Sequence, residues 1–114
     1  MKLTGQAKSD FEKWYMALRQ SEMDRDEAEN TFENANLFFV HISIFYNTPL
    51  SSQFGVYVDW ADSVGIDIYI ECGKYGGYEA LLFFKKYHRT PTVGNRQEAR
   101  EAAIKKLDEL YNNV

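Results

Sequence analysis

The 114-residue sequence predicts an α+β domain, in which about four helices pack on a small antiparallel sheet. Three observations support this fold class. Apolar residues recur at helical spacing in several segments, one segment alternates between apolar and polar residues, and a glycine-rich stretch joins it to a second apolar run. There is no internal repeat and no linker rich in proline or glycine, so we expect one domain over residues 1–114.

The first helix is predicted from an aromatic stripe. Phe11, Trp14, Tyr15 and Leu18 follow the spacing i, i+3, i+4 and i+7, which places them on one helix face. A core-facing stripe is favoured over a partner-binding patch, because amphipathic helices usually turn this face inward. Ser9-x-x-Glu12 has the spacing of a capping box, which predicts a helix start near Ser9.

The segment 37–46 is compatible with both a strand and a helix. β-Branched residues alternate at positions 40, 42 and 44, as they do in strands. Apolar residues also recur in steps of three and four, at Ala28, Phe32, Ala35, Phe39, Ile42 and Tyr46. We favour the helix, because this pattern is longer and begins among acidic residues that suit a helix N-terminus. His41 would then be a partly buried polar residue beside the stripe.

A third helix is predicted between Pro49 and Gly65. Either Ser51 or Ser52 can cap its start, and Gly65 suits its C-terminal end. Its apolar stripe comprises Phe54, Tyr57, Val58, Ala61 and Val64. Asp59 and Asp62 lie opposite this stripe and are expected to face solvent.

The strands and the last helix follow from the remaining patterns. Residues 66–72 alternate, with Ile66, Ile68, Ile70 and Cys72 inward and Asp67, Tyr69 and Glu71 outward. The turn at 73–77 leads to a second strand at 78–86, so that 66–72 and 78–86 form an antiparallel hairpin. Asn95 is expected to cap a terminal helix whose stripe comprises Ala99, Ala103 (or Ala102), Leu107 and Leu110. The open edges of so small a sheet make a homodimer an option.

Few residues suit catalysis or metal binding. The chain has two histidines and a single cysteine, and it contains no C-x-x-C, H-x-x-x-H or G-x-S-x-G motif. Cys72 is expected inside the sheet, where a thiol usually behaves as a small apolar group. We therefore expect no enzymatic activity, no cofactor and no metal. A single cysteine and the lack of a long apolar run favour a cytoplasmic protein without a membrane span.

The charge distribution suggests two binding hypotheses. The net charge is −4, with an acidic run over residues 22–33 and a basic run over residues 85–106. In the first hypothesis an acidic face binds a protein, such as a basic nucleic-acid-binding one, through Asp59, Asp62, Asp67 and Glu71. In the second hypothesis the basic end binds nucleic acid, through Lys85, Lys86, Arg89, Arg96 and Arg100.

Two parts of the chain resemble small uncharacterised proteins of phages and prophages from gut bacteria. The first is F-Y-x-x-P followed by Q-x-G-V-Y-x-D-(F/W)-x-D-S, which begins here at Phe45 and ends at Ser63. The second is the R-x-E-A-R helix start from Arg96 to Arg100, with Asn95 where those proteins carry threonine. The resemblance implies a phage or mobile-element origin but carries no known activity. It favours a non-enzymatic accessory protein that binds a host or phage protein, for example as an inhibitor. It implies no catalytic or binding residue.

Overall fold

The computed structural model of this chain describes residues 1–22 and 35–113. These residues form four helices and three strands, in the order α1 (Gly5–Glu22), α2 (Ala35–Tyr46), α3 (Leu50–Ser63), β1 (Asp67–Cys72), β2 (Tyr78–Phe84), β3 (Lys86–Arg89) and α4 (Arg96–Asn112). The predicted α+β class is confirmed. The helix at 37–46 is also confirmed, whereas Ala28, Phe32 and the acidic residues from 24 to 33 lie outside the described residues.

The three strands form an antiparallel sheet in the order β1-β2-β3. The predicted hairpin is present, with Ile68 opposite Leu82 and Ile70 opposite Ala80. The second strand ends two residues earlier than predicted, because Lys85 adopts a left-handed backbone conformation with φ of 65°. The chain reverses there, so that Lys86 pairs with Phe84 and begins a third strand.

Helix α4 covers the inner face of this sheet. Asn95 caps its start as predicted, since its side-chain oxygen accepts a hydrogen bond from the Glu98 N–H at 2.8 Å. Three predicted stripe positions of α4, Ala99, Ala103 and Leu107, are buried. On the sheet, Ile68, Ala80 and Leu82 are buried beneath the helices. The sheet therefore has one packed face and one open face.

An aromatic cluster holds α1, α2 and α3 together around Phe11. The Phe11 ring is fully buried, as the stripe predicts, whereas Leu18 at the other end of the stripe is 37% exposed. Five rings lie with their centroids 4.7 to 6.0 Å from that of Phe11: Trp14, Tyr15, Phe45, Tyr57 and Trp60. Burial also raises the pKa of the Tyr57 hydroxyl, which donates a hydrogen bond to the Met1 carbonyl at 2.7 Å.

The start of α1 differs from the prediction, because α4 supplies its caps. The helix begins at Gly5, so Ser9 lies inside it and the capping box is wrong. Asp108 accepts hydrogen bonds from the Thr4 N–H and hydroxyl, both at 2.7 Å. The Asn112 side-chain oxygen accepts from the Ala7 N–H at 2.9 Å. Free N–H groups of α1 are thus satisfied by side chains from the far end of the chain.

Two further local predictions need correction. Pro49 occupies the N-cap position of α3 and no side chain caps this helix, so neither Ser51 nor Ser52 has the predicted role. Gly65 does follow the helix with a positive φ of 84°, as predicted. Cys72 is exposed instead of buried, because it is the last residue of β1 and lies beside the open turn at 73–77.

A hydrogen bond between α4 and α1 predicts a pH effect. The Tyr111 hydroxyl donates to Asp10, and this bond holds the pKa of that carboxyl below its ordinary value of 3.8. This bond stabilises the ionised carboxylate in the folded protein. Its contribution to the free energy of unfolding is present above the pKa that Asp10 has in the unfolded chain, and it is lost as pH falls through the lower pKa of the folded state.

We therefore expect Tyr111→Phe to raise the Asp10 pKa towards 3.8, as measured by NMR titration of the side-chain carboxyl carbon. The Gln6 amide, which also donates to Asp10, should keep part of the downward shift. An unchanged Asp10 pKa in the variant would contradict the assignment to Tyr111.

Candidate functional site

Aromatic side chains lie on the open face of the sheet. Among the described residues, Tyr69 is 55% exposed, Phe83 is 38% exposed and Tyr87 is 66% exposed. Each comes from a different strand and points away from α4, since these positions alternate with the buried ones. Monomeric proteins rarely expose large contiguous apolar patches, so this face is a candidate binding surface.

The strand register joins these rings to an acidic residue. Asp67 pairs with Phe83, and Phe83 pairs with Tyr87, so that the three side chains form one row across the sheet. The Phe83 and Tyr87 rings meet edge to face, with their centroids 5.0 Å apart. In the adjacent row, Tyr69 lies opposite Leu81. The result is an aromatic strip with a carboxylate at one end.

A shallow depression of about 270 Å³ continues this strip towards α3. Its polar lining comprises Asp59, Asp62, Asp67 and Tyr69, and its apolar lining comprises Val58, Ile66 and Ile68. Asp59 and Asp62 both lie on the exposed side of α3, as predicted, and β1 begins with Asp67 beside them. We call these contiguous residues the acidic–aromatic surface: Asp59, Asp62, Asp67, Tyr69, Phe83 and Tyr87.

Glu71, the fourth acid of the predicted face, lies apart from the other three. It is near the opposite end of β1, where it pairs with Glu79 of β2. The Arg89 guanidinium nitrogen Nη1 lies 4.0 Å from Glu71 Oε2 and donates to Glu79 Oε1. Arg89 therefore offsets part of the negative charge at this end, and the structure brings together only Asp59, Asp62 and Asp67.

The five predicted basic residues occupy three separate places. Arg96 and Arg100 lie at the start of α4, with their guanidinium carbons 5.3 Å and 5.9 Å from the ring centroids of Tyr78 and Phe54. Lys85 and Lys86 lie at the far end of β2, a strand of seven residues that spans about 20 Å. Arg89 lies on the open face. A nucleic acid would have to reach around the sheet to contact all five.

The described residues provide little for metal chemistry. Within residues 1–22 and 35–113, no group of three or more His, Cys, Asp or Glu side chains is arranged to hold a metal ion. Asp59, Asp62 and Asp67 share a depression but do not form such a group. Likewise, none of the described helices is long and apolar enough to cross a membrane.

Comparison of the chain with family models, with curated proteins and with solved structures finds no match. The acidic–aromatic surface therefore has to be interpreted from its own chemistry. Sequence reasoning assigned none of the three rings to the acidic face. It placed Tyr69 on the outward side of the first strand, considered Tyr87 only as a base-stacking ring beside the basic residues, and did not single out Phe83. A single strand over 78–86 would end before Tyr87, and only the reversal at Lys85 brings this ring back beside Phe83.

Proposed function

We propose that this chain is a non-enzymatic interaction protein that binds a basic host or phage protein through its acidic–aromatic surface. The observation that carries the proposal is the continuity of the Asp59–Asp62–Asp67 depression with the aromatic strip. Tyr69 lines the depression, and Asp67 lies in one row with Phe83 and Tyr87. Protein interfaces commonly combine a central aromatic patch with a polar rim, and tyrosine is enriched among their energetically dominant residues.

The negative charge of this surface indicates that its partner carries positively charged side chains. Three carboxylates line the depression beside Tyr69, so a partner with lysine or arginine side chains would gain favourable electrostatic energy there. Arginine suits the surface in two ways, because its guanidinium group pairs with carboxylates and stacks on aromatic faces. Tyr69 and Tyr87 are exposed enough to offer such faces.

These properties support a basic nucleic-acid-binding protein as the partner. Such a protein presents clustered lysine and arginine side chains where it contacts phosphates. If the acidic–aromatic surface covers the lysine and arginine side chains of such a partner, it competes with nucleic acid for them and inhibits the binding of nucleic acid to the partner. The sequence resemblance to small phage and prophage proteins of gut bacteria is consistent with this inhibitory role and with action in the cytoplasm of a host cell.

The test uses two charge reversals of equal size. Asp62→Lys changes the acidic–aromatic surface, and Glu101→Lys makes the same change at an exposed position of α4. Partners are captured from bacterial host lysate with the tagged chain, with and without nuclease, and are identified by mass spectrometry. We expect a basic protein to remain bound after nuclease treatment, and its affinity to fall about tenfold or more with Asp62→Lys alone.

Stability is not expected to fall in Asp62→Lys, because the new lysine would lie in the last turn of α3, where positive charge is favourable. Thermal unfolding of both variants checks this point. Binding that is unaltered by Asp62→Lys would exclude the acidic depression from the interface. Partners that all disappear with nuclease would show that nucleic acid had bridged them.

A further inference from the structure

A second concave region lies at the opposite end of α4 from Arg96. It is an open cleft of about 530 Å³ between the β2–β3 reversal and the last turns of α4. The positively charged lining comprises Lys85 and Lys86 from the reversal and Lys106 from α4, and His88 lies beside them. Glu109 is the one acid among the described lining residues, and it pairs with Lys106 at 3.3 Å. Three lysines and one glutamate thus line the cleft.

The backbone of Lys85 is unusual at this position. Its φ of 65° lies in the left-handed region, and among the described residues no other non-glycine residue has a positive φ. Only glycine adopts this conformation without steric cost, so a glycine would suit the fold better than a lysine. Residues held in such strained conformations cluster at functional sites. The lysine side chain is therefore a candidate for a role outside folding.

The remaining lining of the cleft comprises two apolar residues, Phe84 and Leu110, and the polar Asn113. Phe84 and Leu110 are half-buried and line the cleft together with the lysines. A volume of about 530 Å³ falls within the range of small-molecule sites, which usually combine an apolar lining with a few polar groups that fix orientation. The cleft therefore suits a ligand with an anionic group for the lysines and a ring or apolar part for Phe84 and Leu110.

We propose that this lysine cleft binds a small phosphorylated molecule of nucleotide size. Lys85, Lys86 and Lys106 hold its phosphate, and Phe84 and Leu110 contact the rest of the ligand. A polynucleotide fits less well, because Arg96 and Arg100 lie at the other end of β2 and do not extend the positive charge of the cleft. This inference is independent of the acidic–aromatic surface.

The test titrates the protein with three probes at constant ionic strength: inorganic phosphate, adenosine 5′-monophosphate and a single-stranded DNA oligomer. Binding is followed by amide NMR shifts and by calorimetry. We expect the two small probes to shift residues 84–88 and 106–110 and the mononucleotide to bind more tightly than phosphate. We expect the oligomer to bind no more tightly than the mononucleotide.

Two variants separate binding from folding. Lys85→Gly should remove one phosphate contact and also relieve the backbone strain, so it should bind about tenfold or more weakly while unfolding at the same or a higher temperature. Lys106→Gln should weaken binding similarly. Lys74→Gln, at the exposed turn between β1 and β2, is the control and should bind like the parent chain.

Four outcomes would overturn the proposal. The small probes could fail to shift the cleft residues at millimolar concentration, or Lys85→Gly and Lys106→Gln could bind as the parent chain does. The control Lys74→Gln could also weaken binding equally, which would show a diffuse effect of net charge. Oligomer binding without mononucleotide binding would assign the lysines to a nucleic-acid backbone instead.

Discussion

Replacing Phe11 with alanine is expected to lower the free energy of unfolding by about 3–5 kcal/mol. The Phe11 side chain is fully buried and contacts rings from α1, α2 and α3. Alanine would remove the transfer energy of the ring and leave a cavity that neighbouring aromatic residues fill poorly. Since small domains are stable by about 5–15 kcal/mol, this loss would remove a large share of the total.

Urea denaturation followed by far-UV circular dichroism measures this effect. Tyr75→Ala is the matched control, because it also removes a ring, but from a side chain that is 93% exposed. The control is expected to change the free energy of unfolding by no more than about 0.5 kcal/mol. Similar midpoints for Phe11→Ala and the parent chain would show that α1 does not pack on α2 and α3 as described.

Replacing Gln53 with leucine is expected to destabilise the fold by about 3 kcal/mol, although leucine is apolar and similar in size. Gln53 is only 2% exposed. Its amide nitrogen donates to the carbonyls of Tyr46 at 3.0 Å and Thr48 at 3.1 Å, and its oxygen accepts from the Met1 amino group at 3.0 Å. Leucine would leave these partly buried partners without the amide, and each such loss costs about 1 kcal/mol.

Gln97→Leu provides the control for this substitution. Gln97 lies on the exposed side of α4, where the same change should alter the free energy of unfolding by no more than about 0.5 kcal/mol. Urea denaturation of both variants gives the comparison. If the two variants were equally stable, the chain from Tyr46 to Thr48 would not depend on the Gln53 amide.

The spacing of apolar residues predicted helices and strands well where one face of the element packs against the continuous core. The stripe of α4 and the alternation of Ile66 and Ile68 are both confirmed, because burial on one face dictates the sequence pattern. Local sequence signals for the ends of helices were less reliable. The Ser9-x-x-Glu12 spacing occurs inside α1, and its actual caps come from Asp108 and Asn112, which lie close to Thr4 only after folding.

The candidate surface was only partly predictable for a similar reason. Asp59 and Asp62 could be placed on the solvent side of α3 from helical spacing alone. Their proximity to Asp67 depends on the angle between α3 and β1, for which the sequence gives no signal. The position of Tyr87 depends on a reversal at Lys85, and lysine is not a residue that indicates a left-handed turn.

The bonds between Thr4 and Asp108 have a consequence for the order of folding. They join residues that are 104 positions apart, and closing a loop of that length costs about 4–5 kcal/mol of chain entropy. The β1–β2 hairpin and α4 involve shorter separations and can form before this loop closes. We therefore expect helix α1 to dock onto α4 late, and we expect Asp108→Ala to accelerate unfolding in stopped-flow measurements while leaving the rate of folding almost unchanged.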